Sequence, residues 1–452
     1  MKNPIKEEAR EVKKILGKIK RKDLKGNSGQ AIKNSSYQLA TLLTAKIGSL
    51  LFTIILARLL MPELFGLYGL AMSTILLLGI FSDLGVSTTI LTFLSKTIDK
   101  NKAKAKAYFN YLSKIKIILV ICTSLIILLL AKWLANNYYQ KPIFYALLAG
   151  AIYLPLSTLS RFLSTVFTSG NNFKVGFVGE LIAQISRLTI LLILILLLIS
   201  RSSNNDIILL WIFIGLSIVF LLVGVYYLGY FLFNNPFNNI KKQELTKKEK
   251  QELWKFIIPL TAIVLSGVFF GYVDIVMLGH YISSEFIGFY QAAFNLISSA
   301  TAILGFSSAA LFPIFSRMKG KQLKKGFRKI KNVTLVISFM ALIFTILIAK
   351  TLINIIYGNA YIQSTIYLQY LSLLIISFPL ITLYQAHYTY QKQTKKLSIL
   401  LIVATGLNII LNYFFINLGL LWAGMNGAVL GACTATIISR YGYLGGLIIF
   451  KK

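Results

Sequence analysis

The sequence predicts an all-α membrane protein with twelve transmembrane helices in two bundles of six. Hydrophobic residues make up 56% of its 452 residues and charged residues only 13%, which excludes a soluble globular chain. The apolar residues form continuous runs such as Leu191–Ile199, whereas the strands of a membrane β-barrel alternate apolar and polar side chains. Both observations indicate a helical membrane protein.

Each membrane crossing needs about 20 apolar residues, because a helix rises about 1.5 Å per residue and the hydrocarbon layer is about 30 Å thick. Twelve runs of this chain meet the requirement. Their predicted bounds are residues 35–60, 67–93, 113–134, 142–169, 175–200, 207–233, 254–280, 286–314, 332–355, 363–388, 397–418 and 423–449.

Basic segments divide these crossings into two lobes. We predict a basic cytoplasmic tail over residues 1–34 and a first lobe of six helices over residues 35–233. A basic cytoplasmic linker over residues 234–253 leads to a second lobe of six helices over residues 254–452.

The tail and the linker each carry a local helix signal. The tail has four apolar residues at helical spacing, which are Val12, Ile15, Leu16 and Ile19. They predict either a partly amphipathic helix on the membrane surface or a solvated tail with little helix. In the linker, Thr246 and Glu249 form a capping box, which predicts that a helix begins there.

The distribution of Lys and Arg predicts the orientation in the membrane. With the N-terminus placed in the cytoplasm, 38 of the 47 Lys and Arg residues fall on that side, four on the opposite side and five within crossings. We therefore predict a multi-pass protein of the cell membrane with both termini in the cytoplasm. Basic loops facing anionic lipids account for the net charge of +33, so we expect no nucleic-acid partner.

The two lobes carry an internal repeat. A first gap-free alignment of the lobes pairs Glu63 with Glu285, Gly66 with Gly288, Tyr68 with Tyr290, Ala71 with Ala293 and Arg58 with His280. A second alignment, shifted slightly by a difference in loop length, pairs Ala131, Lys132, Leu134, Asn136 and Tyr139 with Ala349, Lys350, Leu352, Asn354 and Tyr357. Six crossings per copy is an even number, so the copies share one orientation and form a parallel repeat. We expect a cavity between two lobes that rock to expose it to either side.

Several segments resemble one transporter family. They are ARLLMPELFGLYGLA (Ala57–Ala71), SDLGVSTTILTFLSK (Ser82–Lys96), Asp274 with the Gly288/Tyr290 segment, and LNIILNYFFINLGLLWAGMNGAVLGACTAT (Leu407–Thr436). With them the chain resembles the polysaccharide flippases, the lipid-linked oligosaccharide branch of the superfamily that includes the multidrug and toxin extrusion (MATE) proteins. The resemblance implies a MATE-like fold with a cation-lined cavity. It also implies that an isoprenoid-(pyro)phosphate-linked oligosaccharide moves from the cytoplasmic to the outer leaflet during polysaccharide or glycan biosynthesis.

A cation at mid-bilayer costs about 2.5–3.5 kcal/mol on insertion scales, so a cation inside a predicted crossing needs a functional or structural reason. Four such cations are the candidate substrate ligands. Lys46, Arg161, Arg187 and Arg440 are placed to contact the pyrophosphate or the sugar. Arg suits this task since its planar donors reach two phosphate oxygens at once. The alternatives left open are a structural ion pair for Lys46 and snorkelling toward lipid phosphate for Arg161 and Arg440.

One face of the predicted fifth crossing carries three polar residues. Glu180, Gln184 and Arg187 are spaced by four and three residues, which aligns them along one side of a helix. Glu180 and Arg187 are about 10 Å apart along the axis, too far for a direct bond. Either Gln184 bridges them or they find partners across the cavity, and a purely structural network is the alternative to a binding role.

The remaining charged residues within crossings are candidates for gating and ion coupling. Asp83 and Asp274 could each pair with a cation across the lobes in one state, or form a structural pair. Asp274 and Glu180 are the candidate sites for a coupling ion, H+ or Na+. Arg58 and His280 lie at outer ends of crossings, where an outer gate competes with plain anchoring.

Two other function classes compete with a flippase. A membrane glycan polymerase or ligase needs a large extracytoplasmic loop, and the sequence has none. It also has no nucleophile motif and no metal-binding motif, so we predict no catalytic residues. A cation-coupled multidrug exporter of the same superfamily favours acidic cavities, whereas the predicted crossings hold five cations and three acids. We expect a monomer without metal or other cofactor. Its partners would be an isoprenoid-linked glycan and anionic lipids, with glycan polymerases or glycosyltransferases nearby.

Overall fold

The computed structural model describes residues 27–199, 204–235, 237–238, 240, 243–310, 320–391 and 393–450. These residues form helices, turns and loops, with no β-strand among them. The predicted surface helix of the tail falls within residues 1–26 and lies outside the described residues. Residues 27–34, predicted as tail, form the first turns of a helix that continues into the membrane.

Twelve α-helices follow one another along the described chain. They are α1 (Asn27–Gly79), α2 (Val86–Thr97), α3 (Lys102–Trp133), α4 (Phe144–Ser169), α5 (Phe173–Ile199), α6 (Asn205–Phe233), α7 (Lys247–Tyr281), α8 (Ser284–Ala310), α9 (Gly320–Tyr357), α10 (Ser364–Leu371), α11 (Leu374–Tyr390) and α12 (Thr394–Ile449). Short 3-10 turns at Ile80–Ser82 and Asn359–Tyr361 and a π-helical turn at Leu134–Tyr139 complete the helical structure.

These twelve helices do not correspond one to one with the twelve predicted crossings. Eight described helices are long and apolar enough to cross a membrane alone, and α10 with α11 forms a further candidate bent by 40°. Two of the eight, α1 and α12, have 53 and 56 residues and each holds two crossings. In α1 the crossings meet at Met61, which has a φ of 57° and is followed by Pro62. In α12 they meet at Ala423 and Gly424. The chain is therefore a multi-pass membrane protein.

The second crossing is not the single helix predicted over residues 67–93. Leu84 and Gly85 have φ values of 43° and 82°, a conformation that a continuous right-handed helix excludes. The helix restarts immediately afterwards as α2. The Asp83 carboxylate caps this restart, because its Oδ1 accepts from Ser87 N at 3.2 Å and from Ser87 Oγ at 2.5 Å.

The helices extend beyond the apolar layer at the end where most Lys residues lie. α3 begins at Lys102 and α9 at Gly320, each well before the predicted crossing. The predicted capping box is confirmed: Thr246 Oγ1 accepts from Glu249 N, and Glu249 Oε2 accepts from Thr246 N at 2.9 Å. We call this end, where α3, α7, α9 and α12 begin, the lysine-rich end, and the opposite one the lysine-poor end.

The two lobes meet where α1 crosses α8. Gly66 of α1 lies against the carbonyl of Ser284, and Gly288 of α8 lies against the carbonyl of Pro62. A methyl group at either glycine would overlap that carbonyl oxygen. The first repeat alignment, which pairs the two glycines, also pairs Pro62 with Ser284. The axis that relates the repeats therefore passes through this crossing.

We predict that Gly66→Ala and Gly288→Ala each destabilise the protein by about 1–3 kcal/mol, because the added methyl group forces two backbones apart. Thermal unfolding of the purified protein measures this as a lower Tm. Gly229→Ala in α6 is the control, since nothing lies within 4 Å of a methyl group there. Equal unfolding temperatures for Gly66→Ala and Gly229→Ala would contradict the close crossing.

Candidate functional site

Four helices of the first lobe, α1, α4, α5 and α6, enclose a cavity of about 360 Å³. Its wall carries Lys46 from α1, Arg161 from α4, and Glu180, Gln184 and Arg187 from α5. Five of the predicted site residues therefore share one cavity. The other lining residues are Ala45, Ser49, Ser160, Ser164, Gly179, Ala183, Val219, Phe220, Val223 and Tyr227.

The polar stripe on α5 forms one hydrogen-bonded chain. Gln184 Nε2 donates to Glu180 Oε1 at 2.5 Å, and Gln184 Oε1 accepts from Arg187 Nη2. Of the two predicted arrangements, the bridge through Gln184 is the one observed. Gly48 of α1 leaves the space that Gln184 occupies, because a methyl group there would lie 2.8 Å from Gln184 Cδ.

The three cations of the cavity differ in how far other groups neutralise them. Arg187 is linked to the Glu180 carboxylate, and its Cζ lies 4.5 Å from the centroid of the Phe52 ring. Lys46 and Arg161 are exposed, and neither side chain has a hydrogen-bond or salt-bridge partner among the described residues. One carboxylate thus faces three cations, and the remaining positive charge suits an anionic group.

Arg440 lies away from this cavity, so the prediction that it lines the same site is wrong. Its Nη2 donates to the carbonyl of Phe270 at 2.6 Å. Its Cζ lies 3.6 Å from the ring centroid of Phe270 and 4.9 Å from that of Phe378. At this position α12 packs on α7 and α11 of the second lobe, where aromatic faces and a carbonyl contact the cation, while its Nε has no hydrogen-bond partner among the described residues.

Asp274 of α7 lies in the core of the second lobe and is 3% exposed. Its Oδ1 accepts from Asn412 Nδ2 at 2.7 Å, and its Oδ2 accepts from Tyr290 OH at 3.0 Å and Thr436 Oγ1 at 2.5 Å. In this structure neutral donors, rather than a cation across the lobes, contact the carboxylate. The amide oxygens of Asn408 and Asn412 are buried without a hydrogen-bond partner among the described residues. The Asp274 carboxylate and the hydroxyl oxygen atoms of Tyr290 and Thr436 are ligands of the kind that hard cations prefer.

Asp83 forms an ion pair within the first lobe, which is the structural alternative to an interlobe gate. Its Oδ1 lies 2.6 Å from Nζ of Lys116 in α3, and Lys116 is only 1% exposed. Lys116 lies within the packed lobe because α3 already begins at Lys102.

Arg58 and His280, the predicted outer-gate residues, both bind main-chain carbonyls of the opposite lobe at the lysine-poor end. Arg58 Nε donates to Ile356 O at 2.8 Å, and Arg58 Nη2 donates to Ile355 O. His280 Nδ1 lies 2.6 Å from Tyr138 O. These contacts place both residues between the lobes rather than against lipid alone.

Two further contacts close the lysine-poor end. Tyr361 OH donates to Ala57 O at 2.8 Å, and Lys141 Nζ donates to Gly279 O at 2.6 Å. Burial lowers the pKa of the Lys141 ammonium group, as expected for a cation removed from water. The lobes are therefore joined at this end by side chains that reach across to backbone oxygen atoms.

Sequence reasoning missed the wall of the cavity that α6 provides. Val219, Val223 and Tyr227 are spaced by four residues, so they lie along one face of the helix. That spacing was the available signal. It could not show that this face looks into the cavity, because the apolar stretch of α6 carries no charge to mark it.

The comparisons with known proteins agree with this architecture. A family model described as polysaccharide biosynthesis protein matches residues 55–366, whereas no curated protein sequence matches the chain. The fold is similar to that of the lipid II flippase MurJ in its inward closed conformation, with a TM-score of 0.64 and 18% identity over 90% of this chain and 86% of that one.

Two MATE structures are also similar. An inward-facing multidrug resistance MATE family transporter of the MOP superfamily gives a TM-score of 0.65 and 13% identity over 90% of this chain and 94% of that one. The Vibrio cholerae MATE transporter VcmN gives a TM-score of 0.56 and 15% identity over 93% of this chain and 96% of that one. At such identities the likeness shows the fold, which confirms the predicted MATE-like architecture. Since the family model covers more than half of its residues, the chain belongs to the polysaccharide biosynthesis protein family.

Proposed function

We propose that this protein is a flippase that moves an isoprenoid-(pyro)phosphate-linked oligosaccharide from the cytoplasmic to the outer leaflet by alternating access. The observation that carries the proposal is the cavity in which Lys46 and Arg161, both without partners among the described residues, lie beside Arg187. Membership of the polysaccharide biosynthesis family and likeness to a lipid II flippase support it.

The cavity matches the chemistry of such a headgroup. Arg161 offers a planar fork of donors and Lys46 a mobile point charge, and both bind phosphate oxygens. The hydroxyl group of Ser49 lines the same wall and is available to a sugar hydroxyl. The headgroup would enter the cavity while the isoprenoid chain stays in the lipid, where its apolar surface is not exposed to water.

The direction of movement follows from the charges of the two ends. We propose that the lysine-rich end faces the cytoplasm, in keeping with the positive-inside rule. The contacts of Arg58 and His280 hold the lysine-poor end closed, so release there requires them to break. At the lysine-rich end α7 contacts the first lobe, where Thr261 Oγ1 donates to Leu84 O at 2.8 Å.

We predict that Lys46→Ala and Arg161→Ala each weaken glycolipid binding about ten- to a hundred-fold, since one hydrogen bond to a charged group contributes about 1.5–3 kcal/mol. Neither side chain has a partner to lose among the described residues, so folding should be unaffected. Binding of a fluorescent isoprenoid-pyrophosphate-linked glycan to the purified protein in nanodiscs measures the effect. In cells, the double variant should fail to complement a flippase-deficient strain.

The matched control for this prediction is Lys132→Ala/Lys350→Ala. It removes the same number of charges from exposed positions outside the cavity and should bind and complement normally. The cavity assignment is contradicted if Lys46→Ala/Arg161→Ala binds as tightly as this control.

A cation-coupled multidrug exporter is the second candidate, favoured by the likeness to MATE transporters. A cationic drug would meet three cations and one carboxylate in this cavity, and like charges at short range repel. The charge balance therefore favours the anionic glycolipid.

We further propose that Asp274, rather than Glu180, is the site of the coupling ion, H+ or Na+. Asp274 is buried, and the hydroxyl oxygen atoms of Tyr290 and Thr436 lie 3.0 and 2.5 Å from its carboxylate, where they would share a small cation with it. Glu180 accepts a hydrogen bond from Gln184 next to the cavity cations, where it holds the side chains of the substrate cavity in place.

For ion coupling we predict opposite behaviour of two isosteric variants. Asp274→Asn should lose the dependence of transport on an H+ or Na+ gradient in proteoliposomes, because it removes the charge that binds the ion. Glu180→Gln should keep that dependence while transporting more slowly. Stabilisation by Na+ or by low pH in thermal unfolding gives an independent measure of ion binding. Unchanged gradient dependence in Asp274→Asn would show that the ion binds elsewhere.

A further inference from the structure

We infer that His280 is a proton-binding site at the lysine-poor end that sets how firmly the two lobes close there. His280 forms one of two contacts related by the internal repeat, and the equivalent contact is made by Arg58, whose charge is permanent. The inference rests on the geometry of the closed end and holds whatever the substrate is.

The two contacts occupy equivalent places in the two lobes. The first repeat alignment pairs Arg58 with His280, and the second pairs Tyr138 with Ile356. Arg58 donates to Ile356 O at 2.8 Å, and His280 bonds to Tyr138 O at 2.6 Å. Each lobe thus extends a basic side chain from the end of its first crossing to the end of the third crossing of the other lobe.

Both acceptors are carbonyls at helix ends, where no later amide completes the helical pattern. Tyr138 lies in the turn Leu134–Tyr139 that follows α3, and Ile356 lies in the last turn of α9. The C-terminal end of a helix carries partial negative charge and therefore binds a cation more strongly than a neutral donor. A guanidinium group always supplies that charge, whereas an imidazole supplies it only when protonated.

The His280 ring is placed to take up a proton without losing its contact. A carbonyl oxygen only accepts hydrogen bonds, so Nδ1 carries a hydrogen in both the neutral and the charged form. The second proton binds Nε2, and the side chain is exposed to solvent. The ring stacks on Tyr138 with centroids 4.7 Å apart.

Lys141 is a like charge near His280. Its Nζ lies 2.6 Å from the carbonyl oxygen of Gly279, which precedes His280 in sequence. The tyrosines are neutral between pH 5 and pH 8. The residues that neighbouring elements bring to this end of α7 are Tyr138, Tyr139 and Lys141 after α3, Tyr281 on α7 itself, Leu70 on α1 and Asn417 on α12.

The sign of the effect follows from this geometry. Acid pH at the lysine-poor end charges His280, strengthens its bond to Tyr138 O and favours closure. As pH rises the charge is lost, the bond weakens and opening becomes easier. We expect the ratio of closed to open molecules to fall about five-fold between pH 5 and pH 8.

The test measures closure directly in the full-length protein in nanodiscs. Spin labels are placed at Lys132→Cys and Lys350→Cys, exposed positions that the repeat relates across the lobes. Cys122→Ala removes the exposed native thiol, and Cys433 is fully buried. Electron–electron resonance distances between pH 5 and pH 8 then report the closed fraction.

Three variants isolate the contribution of His280. His280→Arg should give a high closed fraction that does not change with pH, and His280→Gln a low one that does not change either. Arg58→His, the matched control from the other lobe, should steepen the response because both contacts then titrate. A wild-type closed fraction that is constant over this range, or that varies equally in His280→Gln, overturns the inference.

Discussion

A charge inside the membrane must be hydrogen-bonded, paired or exposed to water, and this constraint sorts the cations of the crossings. Arg58 and Arg440 donate to main-chain carbonyls, and Arg187 is linked to a carboxylate through an amide. Lys46 and Arg161 have no such partner among the described residues, and both face one cavity. The uncompensated charge is thus concentrated where a phosphate group can reach it.

The two lobes share a scaffold but have diverged in charge. The first lobe encloses a basic cavity, whereas the second buries the Asp274 carboxylate among neutral donors. Between them the repeat has kept glycines at the crossing of α1 and α8. Tyr290 lies two residues after Gly288 and donates to Asp274. The proposed ion site is therefore connected by one hydrogen bond to the helix that contacts the other lobe, which is a short route for coupling.

Hydropathy and spacing predicted the crossings and the stripe of Glu180, Gln184 and Arg187, because both depend on the geometry of a single helix. They ended the first crossing at residue 60, next to the break at Met61, but they did not predict the break at Leu84 inside the second crossing, which depends on a positive φ value. Gly85 beside that break was the local sign of it.

Contacts between helices were harder to predict than the helices themselves. Arg440 was expected in the cavity and Asp274 opposite a cation, since both are charged residues in apolar runs. Their actual partners, Phe270 O and Asn412, lie on other helices. One sequence determines which residues share a helix face but not which helix that face meets. The repeat adds one relation, because its two alignments make the contact of Arg58 with Ile356 equivalent to that of His280 with Tyr138.

The most direct measurement of the central claim compares two glycolipids that differ only in the phosphate groups between glycan and isoprenoid. Native mass spectrometry of the purified protein with an isoprenyl pyrophosphate glycan and with the phosphate-free glycoside gives both affinities. A cavity that holds a phosphate with Lys46, Arg161 and Arg187 should bind the pyrophosphate form at least about ten-fold more tightly, and less so as salt increases. Equal affinities for the two glycolipids would contradict the account.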